Sequence, residues 1–277
     1  MDRFEVSFDG ATLVGEAGGF GLPVVFLHPD VADRRVWAGQ MAAAAAEGFH
    51  VVGYDRRGFG ESRSPERPFA HLDDLEGLLD RLSMNAVILV GAGEGGALAI
   101  DFAIENPDRT IGLVLVGTEL SGAPEPDLPE EIEELLDTRS YAAERGQWTS
   151  VNRIDAHLWL DGPLENEGRV EGEAREAFLE MNGARLQRPA VAAEEPDSAE
   201  PGLTTITAPT LLVVGGLDFP HIVERHEELE EVLENAFAVV LEGTAHLPML
   251  ESPERFDPLL LEFLEALSGG GEDAGDD

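Results

Sequence analysis

The stretch Ala86-Val87-Ile88-Leu89-Val90-Gly91-Ala92-Gly93-Glu94-Gly95-Gly96 decides how this chain folds. An apolar, partly β-branched run enters a segment in which four of six residues are glycine. The spacing then turns helical over Gly95–Glu105 and is stopped by Asn106-Pro107. A buried strand, a tight turn and a helix in immediate succession suit two motifs. One is the strand-to-helix turn of pattern G-x-S-x-G that exposes a nucleophile. The other is the phosphate-binding pattern G-x-G-x-x-G, present literally at Gly91, Gly93 and Gly96. The second fits its surroundings poorly. That fingerprint belongs to the first βα turn of a dinucleotide-binding fold, and here it stands at the third crossover. The acid expected at the end of the next strand is also missing, because Ile111–Val116 runs into Gly117-Thr118.

Working outward, short apolar runs at Val24–Leu27, Val51–Tyr54, Ala86–Val90, Ile111–Val116, Thr210–Val214 and Phe237–Leu241 alternate with helical patterns. Those patterns cover Asp33–Glu47, Leu72–Leu82, Gly95–Glu105, Ile222–Glu234 and Pro253–Leu267. Such alternation predicts βαβ units and a mostly parallel sheet. Before it, Phe4–Phe8 and Thr12–Gly15 flank Asp9-Gly10 and predict an antiparallel hairpin. From about Ser121 to Pro201 no buried strand is legible, and Pro129–Thr138 and Gly172–Gln187 read as helices. The expectation is therefore an α/β core formed by residues 1–120 and 202–267, a helical cap inserted at 121–201, and a disordered acidic tail at 268–277.

Two further loops follow predicted strands. Gly215-Gly216-Leu217-Asp218 supplies a carboxylate, and Glu242-Gly243-Thr244-Ala245-His246-Leu247-Pro248 supplies an imidazole. Taken singly, Asp218 reads as a helix cap and His246 as a packed core histidine. Together, in the chain order turn, acid, histidine, they read as an oriented acid–base pair.

Several segments jointly resemble the α/β-hydrolase fold superfamily over nearly the whole chain. They are Phe26-Leu27-His28, Tyr54-Asp55-Arg56-Arg57-Gly58-Phe59-Gly60-Glu61-Ser62, the glycine turn, Gly216-Leu217-Asp218, and Ala245-His246-Leu247-Pro248 with Glu251-Ser252-Pro253-Glu254. His157-Leu158-Trp159-Leu160-Asp161-Gly162-Pro163 looks like the cap of small-molecule hydrolases in the 3-oxoadipate enol-lactonase-like branch. The resemblance implies His246 as general base, Asp218 as its partner and a nucleophile at the centre of the turn. That centre is Gly93, which has no side chain. Ser62, Ser121 and Thr244 are hydroxyls on other loops, and none lies on such a turn. The same resemblance places oxyanion-stabilising N–H groups at Glu94 and Asp30, next to Pro29, with both carboxylates expected to point outward. A metal held by His28, Asp30, Glu94 and His246 lacks any H-x-H or H-x-x-x-H spacing, and no metal or cofactor is expected.

The function expected is hydrolysis of a small ester or lactone through His246 and Asp218 with no serine. The alternative is a catalytically inactive ligand-binding relative, with an apolar pocket under Trp148 and Trp159. Charge narrows the partners. The 277 residues carry 18 basic and 56 acidic side chains, a net charge of −38, and every basic one is arginine. Nucleic acid and anionic membranes would be repelled. The same composition suits concentrated salt, where a short Debye length mutes self-repulsion. There is no cysteine and no run long enough to span a bilayer, and Met1-Asp2-Arg3-Phe4-Glu5, with no apolar run, gives the expectation of no signal peptide. A cytoplasmic protein acting on a small molecule is expected, its oligomeric state open.

Overall fold

The computed structural model describes residues 1–189, 191 and 193–269. In chain order the elements are β1 (Asp2–Phe8), β2 (Ala11–Gly18), β3 (Pro23–Leu27), α1 (Ala38–Ala46), β4 (His50–Asp55), α2 (His71–Arg81), β5 (Val87–Ala92), α3 (Glu94–Glu105) and β6 (Thr110–Val116). They continue as α4 (Glu130–Glu144), α5 (Trp148–Ala156), α6 (Glu173–Leu186), β7 (Thr210–Gly215), α7 (Pro220–Val232), β8 (Ala236–Leu241), α8 (Pro248–Glu251) and α9 (Pro253–Gly269).

The eight strands form one sheet in the order β1-β2-β4-β3-β5-β6-β7-β8. β1 and β2 pair antiparallel across Asp9-Gly10, both at positive φ, as a two-residue hairpin with the sheet's own twist requires. β2 meets β4 antiparallel, and every pair from β4 to β8 is parallel. The period of two sorts the core into two layers. Val24, Phe26, Ile88 and Val90 face one cluster with Trp37 and Met41 and with Phe256, Leu260 and Leu264 of α9. Val25, Leu27, Val87 and Leu89 face the other, with Leu75, Leu78 and Leu79 of α2, Leu98 and Phe102 of α3, and Leu229 of α7. Helices on both faces explain why the central strands are apolar throughout instead of alternating.

Three expectations change in detail. The helix predicted over Asp33–Glu47 opens with a tight turn at Arg34–Trp37, because the Asp33 carboxylate accepts the Arg35 N–H and holds the chain there before α1 begins. Between β6 and β7 a third helix, α5, joins the two that were expected. It runs into a π-helical turn at His157–Asp161 that ends on Gly162 at φ 99°. Ser268 and Gly269 belong to the last helix, and the rest of the predicted tail lies outside the described residues.

Candidate active site

Parallel strands deliver their following loops to one edge of the sheet, and the order of the strands decides which loops meet. The chain steps from β3 outward to β4 and returns to β5 on the other side of β3. The topological switch point therefore lies between β3 and β5. There the loop carrying His28, Pro29 and Asp30 faces the glycine turn that starts α3.

Gly93 occupies that turn at φ 52°, ψ −123°. Its N–H donates to Val116 O at 3.0 Å, and its carbonyl accepts from Gly96 at 3.0 Å and Ala97 at 3.1 Å. Neighbouring glycines are dictated by contact: a Cβ on Gly95 would lie 2.4 Å from Leu27 O, and one on Gly91 would lie 2.3 Å from Gly95 O. Strand, turn and helix can pack this closely only without side chains there. At Gly93 the added atom would point into the site, 3.0 Å from His246 Nε2 and 3.3 Å from Pro29 Cβ.

His246 follows β8, and Asp218 follows β7. Asp218 Oδ2 lies 2.8 Å from His246 Nδ1, while Asp218 Oδ1 accepts the Phe219 N–H at 2.8 Å. The carboxylate is thus held by the start of α7 and fixes the imidazole with Nε2 toward Gly93. That nitrogen makes no hydrogen bond among the described residues. Trp159, delivered by the π-helical turn, packs against the imidazole with ring centroids 4.7 Å apart and stacks 4.5 Å from Phe219. Burial pulls the imidazole pKa down. The Asp218 carboxylate, with Glu94 and Glu119 behind it, more than offsets this and holds His246 above its ordinary value.

The expectation that Asp30 and Glu94 both point outward is overturned for Glu94. Its side chain turns back over the start of α3, and Oε2 accepts the Asp30 N–H at 2.9 Å. Of the two N–H groups anticipated for an oxyanion, that of Asp30 already serves a side chain of the same molecule. Glu94 also lines a cavity of about 980 Å³, together with Asp30, Leu98, Glu119 and Ser121. Burial, then the charge of Asp30, pushes the Glu94 carboxyl up to about 7. Burial would raise Asp30 too, but Arg56 at 2.8 Å and Arg185 at 4.0 Å hold it below its usual range. Two adjacent carboxyls are driven apart, one charged and one protonated near neutrality.

The remaining candidates have structural partners. His28 Nε2 accepts the Arg56 N–H at 3.0 Å, so the proton sits on Nδ1 and donates to Pro29 O at 2.8 Å; neither nitrogen is left for a metal. Ser62 donates to Asp55 O and accepts from Val14, Thr244 donates to Leu241 O, and Ser121 donates to Asp101. None of the three bonds His246. Trp148 is 43 % exposed at the start of α5 and does not line the site, so Trp159 stands over it alone of the pair. Neither tryptophan nor His246 is among the residues lining the cavity of about 980 Å³, so it is not the apolar pocket expected under Trp148 and Trp159. Glu119, which faces His246 from the loop after β6, and Arg185, which reaches Asp30 from α6, carry no sequence signal that marks them.

This fold and this strand-end geometry define an α/β hydrolase. The profile of the alpha/beta hydrolase family matches residues 24–258, and the chain belongs to that family. It is similar to the AB hydrolase superfamily protein YisY of Bacillus subtilis, 25 % identical over 95 % of this chain and 99 % of that one. Among solved structures it is similar to a thermophilic esterase from Thermogutta terrifontis, with TM-score 0.79 and 28 % identity over 97 % of this chain and all of that one. It is also similar to Est816, described as an N-acyl homoserine lactone degrading enzyme, with TM-score 0.74 and 25 % identity over 94 % of this chain and 99 % of that one. No helix among the described residues is long and apolar enough to cross a membrane.

Proposed function

We propose that this chain hydrolyses a small ester or lactone by direct attack of water, with residues 1–120 and 202–267 as catalytic core and 121–201 as cap. One observation carries the reading: His246 Nε2, oriented through Nδ1 by Asp218, faces Gly93, which offers no side chain of its own and where a Cβ would lie 3.0 Å from that nitrogen. A water at that position meets a general base and an approaching carbonyl carbon together. Nε2 takes the water proton as the C–O bond forms, and the Asp218 carboxylate stabilises the imidazolium. On collapse His246 returns that proton to the leaving alkoxide, giving a carboxylic acid and an alcohol, or a hydroxy acid from a lactone. No acyl-enzyme forms. The similarity to an esterase and to a lactone-degrading enzyme supports the substrate class.

A chain without the nucleophile retains binding and electrostatic contributions, which in triad enzymes amount to roughly 10³–10⁴-fold over water. The test is turnover of a panel of small esters and lactones in molar KCl, comparing the native chain with His246→Ala. The proposal expects slow turnover without an acyl burst, lost in H246A. Equal rates in both proteins, or none in either, would instead assign the site to ligand binding without chemistry.

A further inference from the structure

The π-helical turn that carries Trp159 is joined to the loop that carries His246 by one guanidinium. Arg169 Nε donates to Asp161 O and Nη2 donates to Leu160 O at 3.0 Å, the last two carbonyls of the turn. From the same side chain Nη1 crosses to the core, where it donates to Gly243 O at 3.1 Å and to Glu251 Oε1. Glu251 Oε2 in turn accepts the N–H of Ala245, the residue before His246, at 2.9 Å. We propose that Arg169 is a positioning residue, a clamp that seats the Trp159 turn on the His246 loop and so holds the imidazole against the indole. The assignment rests on the reading that His246 is the base.

The local sequence explains how the clamp is aimed. A helical segment leaves its last carbonyls without partners, and a cation at that end satisfies them. The buried Asp161 fixes the backbone on both sides of Arg169, because Oδ2 accepts the Gly168 N–H at 2.7 Å and Oδ1 accepts the Val170 N–H at 2.9 Å. Arg175 Nη1, at 2.9 Å and 2.8 Å from the two oxygens, balances that carboxylate. Gly162, which ends the turn, brings it onto the other loop of the pair: a Cβ there would lie 2.6 Å from the carbonyl of Leu217, the residue before Asp218. The Leu217 N–H donates to Thr244 O at 2.8 Å, so the two loops are also bonded to each other.

The clamp matters for the base because one hydrogen bond does not fix a ring. Asp218 holds Nδ1 and leaves the imidazole free to tilt about that contact. Trp159, with ring centroids 4.7 Å away, removes the tilt, and Arg169 is what holds the turn bearing Trp159 against the loop bearing His246. A lysine cannot substitute, since the three nitrogens of the planar fork serve acceptors that a single ammonium cannot span.

The test compares Arg169→Lys and Glu251→Gln with Arg139→Lys as a control. R169K keeps a cation opposite Glu251 but releases the turn carbonyls. E251Q presents one acceptor oxygen where the carboxylate presents two, so it gives up either Arg169 or the Ala245 N–H. Arg139 pairs with the buried Asp155 between α4 and α5 and reports on cap stability alone. Nuclear Overhauser cross-peaks should connect the His246 ring protons to the Trp159 indole in the native chain. They should disappear in R169K and E251Q at native helical content by circular dichroism, and persist in R139K. In molar KCl, kcat for ester turnover should fall about 10–10²-fold in R169K and E251Q with KM within a few-fold, the size expected for a misplaced group, and R139K should keep the native kcat. Native cross-peaks or native kcat in R169K would overturn the assignment. So would cross-peaks lost equally in R139K, which would make the contact a property of cap stability. If R169K does not fold, E251Q decides by the same readouts. A native chain whose cross-peaks depend on Arg169 but which turns over no ester would refute water activation at His246 while upholding the clamp.

Discussion

The imidazole of His246 and the backbone of Gly93 stand in the relation of base to nucleophile with the nucleophile removed: a Cβ on Gly93 would lie 3.0 Å from Nε2. At φ 52° the turn keeps a conformation that a residue with a side chain adopts only under strain, although glycine experiences none. Chemistry and strain are thus separable at one position.

Gly93→Ser tests that separation. The hydroxyl should sit within reach of His246, and a fluorophosphonate probe that leaves the native chain unmodified should label the variant. The left-handed backbone should lower stability by about 1–3 kcal/mol, read by chemical denaturation. An unlabelled variant would mean that Glu94, still holding the Asp30 N–H, keeps the oxyanion position closed.

Asp218 holds His246 above its ordinary pKa against the pull of burial. In Asp218→Asn the His246 value, followed by NMR of the ring protons, should fall below that of the native chain. The sign of the linked stability follows from a raised folded value. The pair's contribution is fully present below the unfolded histidine value of about 6.5 and is lost as pH rises through the native one. The stability gap between native and D218N should therefore narrow on going from pH 6 to about pH 9. A constant gap would mean that the pair does not titrate.

Most of the fold was legible because its signals are local. Val24–Leu27 and Ala86–Val90 are apolar on both faces, which only a strand covered by helices requires, and Asp9-Gly10 specifies its hairpin. His246 and Asp218 were legible from their place after successive strands. The direction of Glu94 was not. Whether a residue at a helix start points outward or folds back is decided by Asp30 and Arg56, 64 and 38 positions upstream, which only the sheet topology brings near. The π-helical turn was hidden for a similar reason. His157-Leu158-Trp159-Leu160 has ordinary helical composition, and the wide turn that carries Trp159 to His246 depends on packing against Phe219 and the strand ends.

Arg57 and Asp74 anchor the loop that presents Arg56. Nε and Nη2 of Arg57 each donate to Asp74 at 2.6 Å, both side chains are buried, and the guanidinium lies 4.5 Å from the Phe69 ring. Arg57→Ala strands a buried carboxylate and should cost about 3–5 kcal/mol by denaturant titration. Replacing both partners, as in R57M with D74L, removes the stranded charge and should recover most of that loss. A double variant as unstable as R57A would show that the cation–π contact, and not the ion pair, carries the anchor.

The net charge of −38 should make stability rise with salt, and the locations of the carboxylates say how. Pairs such as Arg57 with Asp74 are shielded from solvent and respond little to ionic strength. The repulsion resides on exposed faces such as the start of α4, where Glu130, Glu131, Glu133 and Glu134 stand open around the buried Ile132. Between about 0.1 M and 1 M KCl the Debye length falls from about 10 Å to 3 Å, so most of this repulsion is screened within that range. Tm should climb steeply across it and flatten beyond. A chain with those four glutamates changed to glutamine should start higher at low salt and gain less. A Tm that is level from about 0.1 M to 1 M KCl would refute self-repulsion as the limit on stability, and a quadruple variant with the native salt slope would place the repulsion on another face.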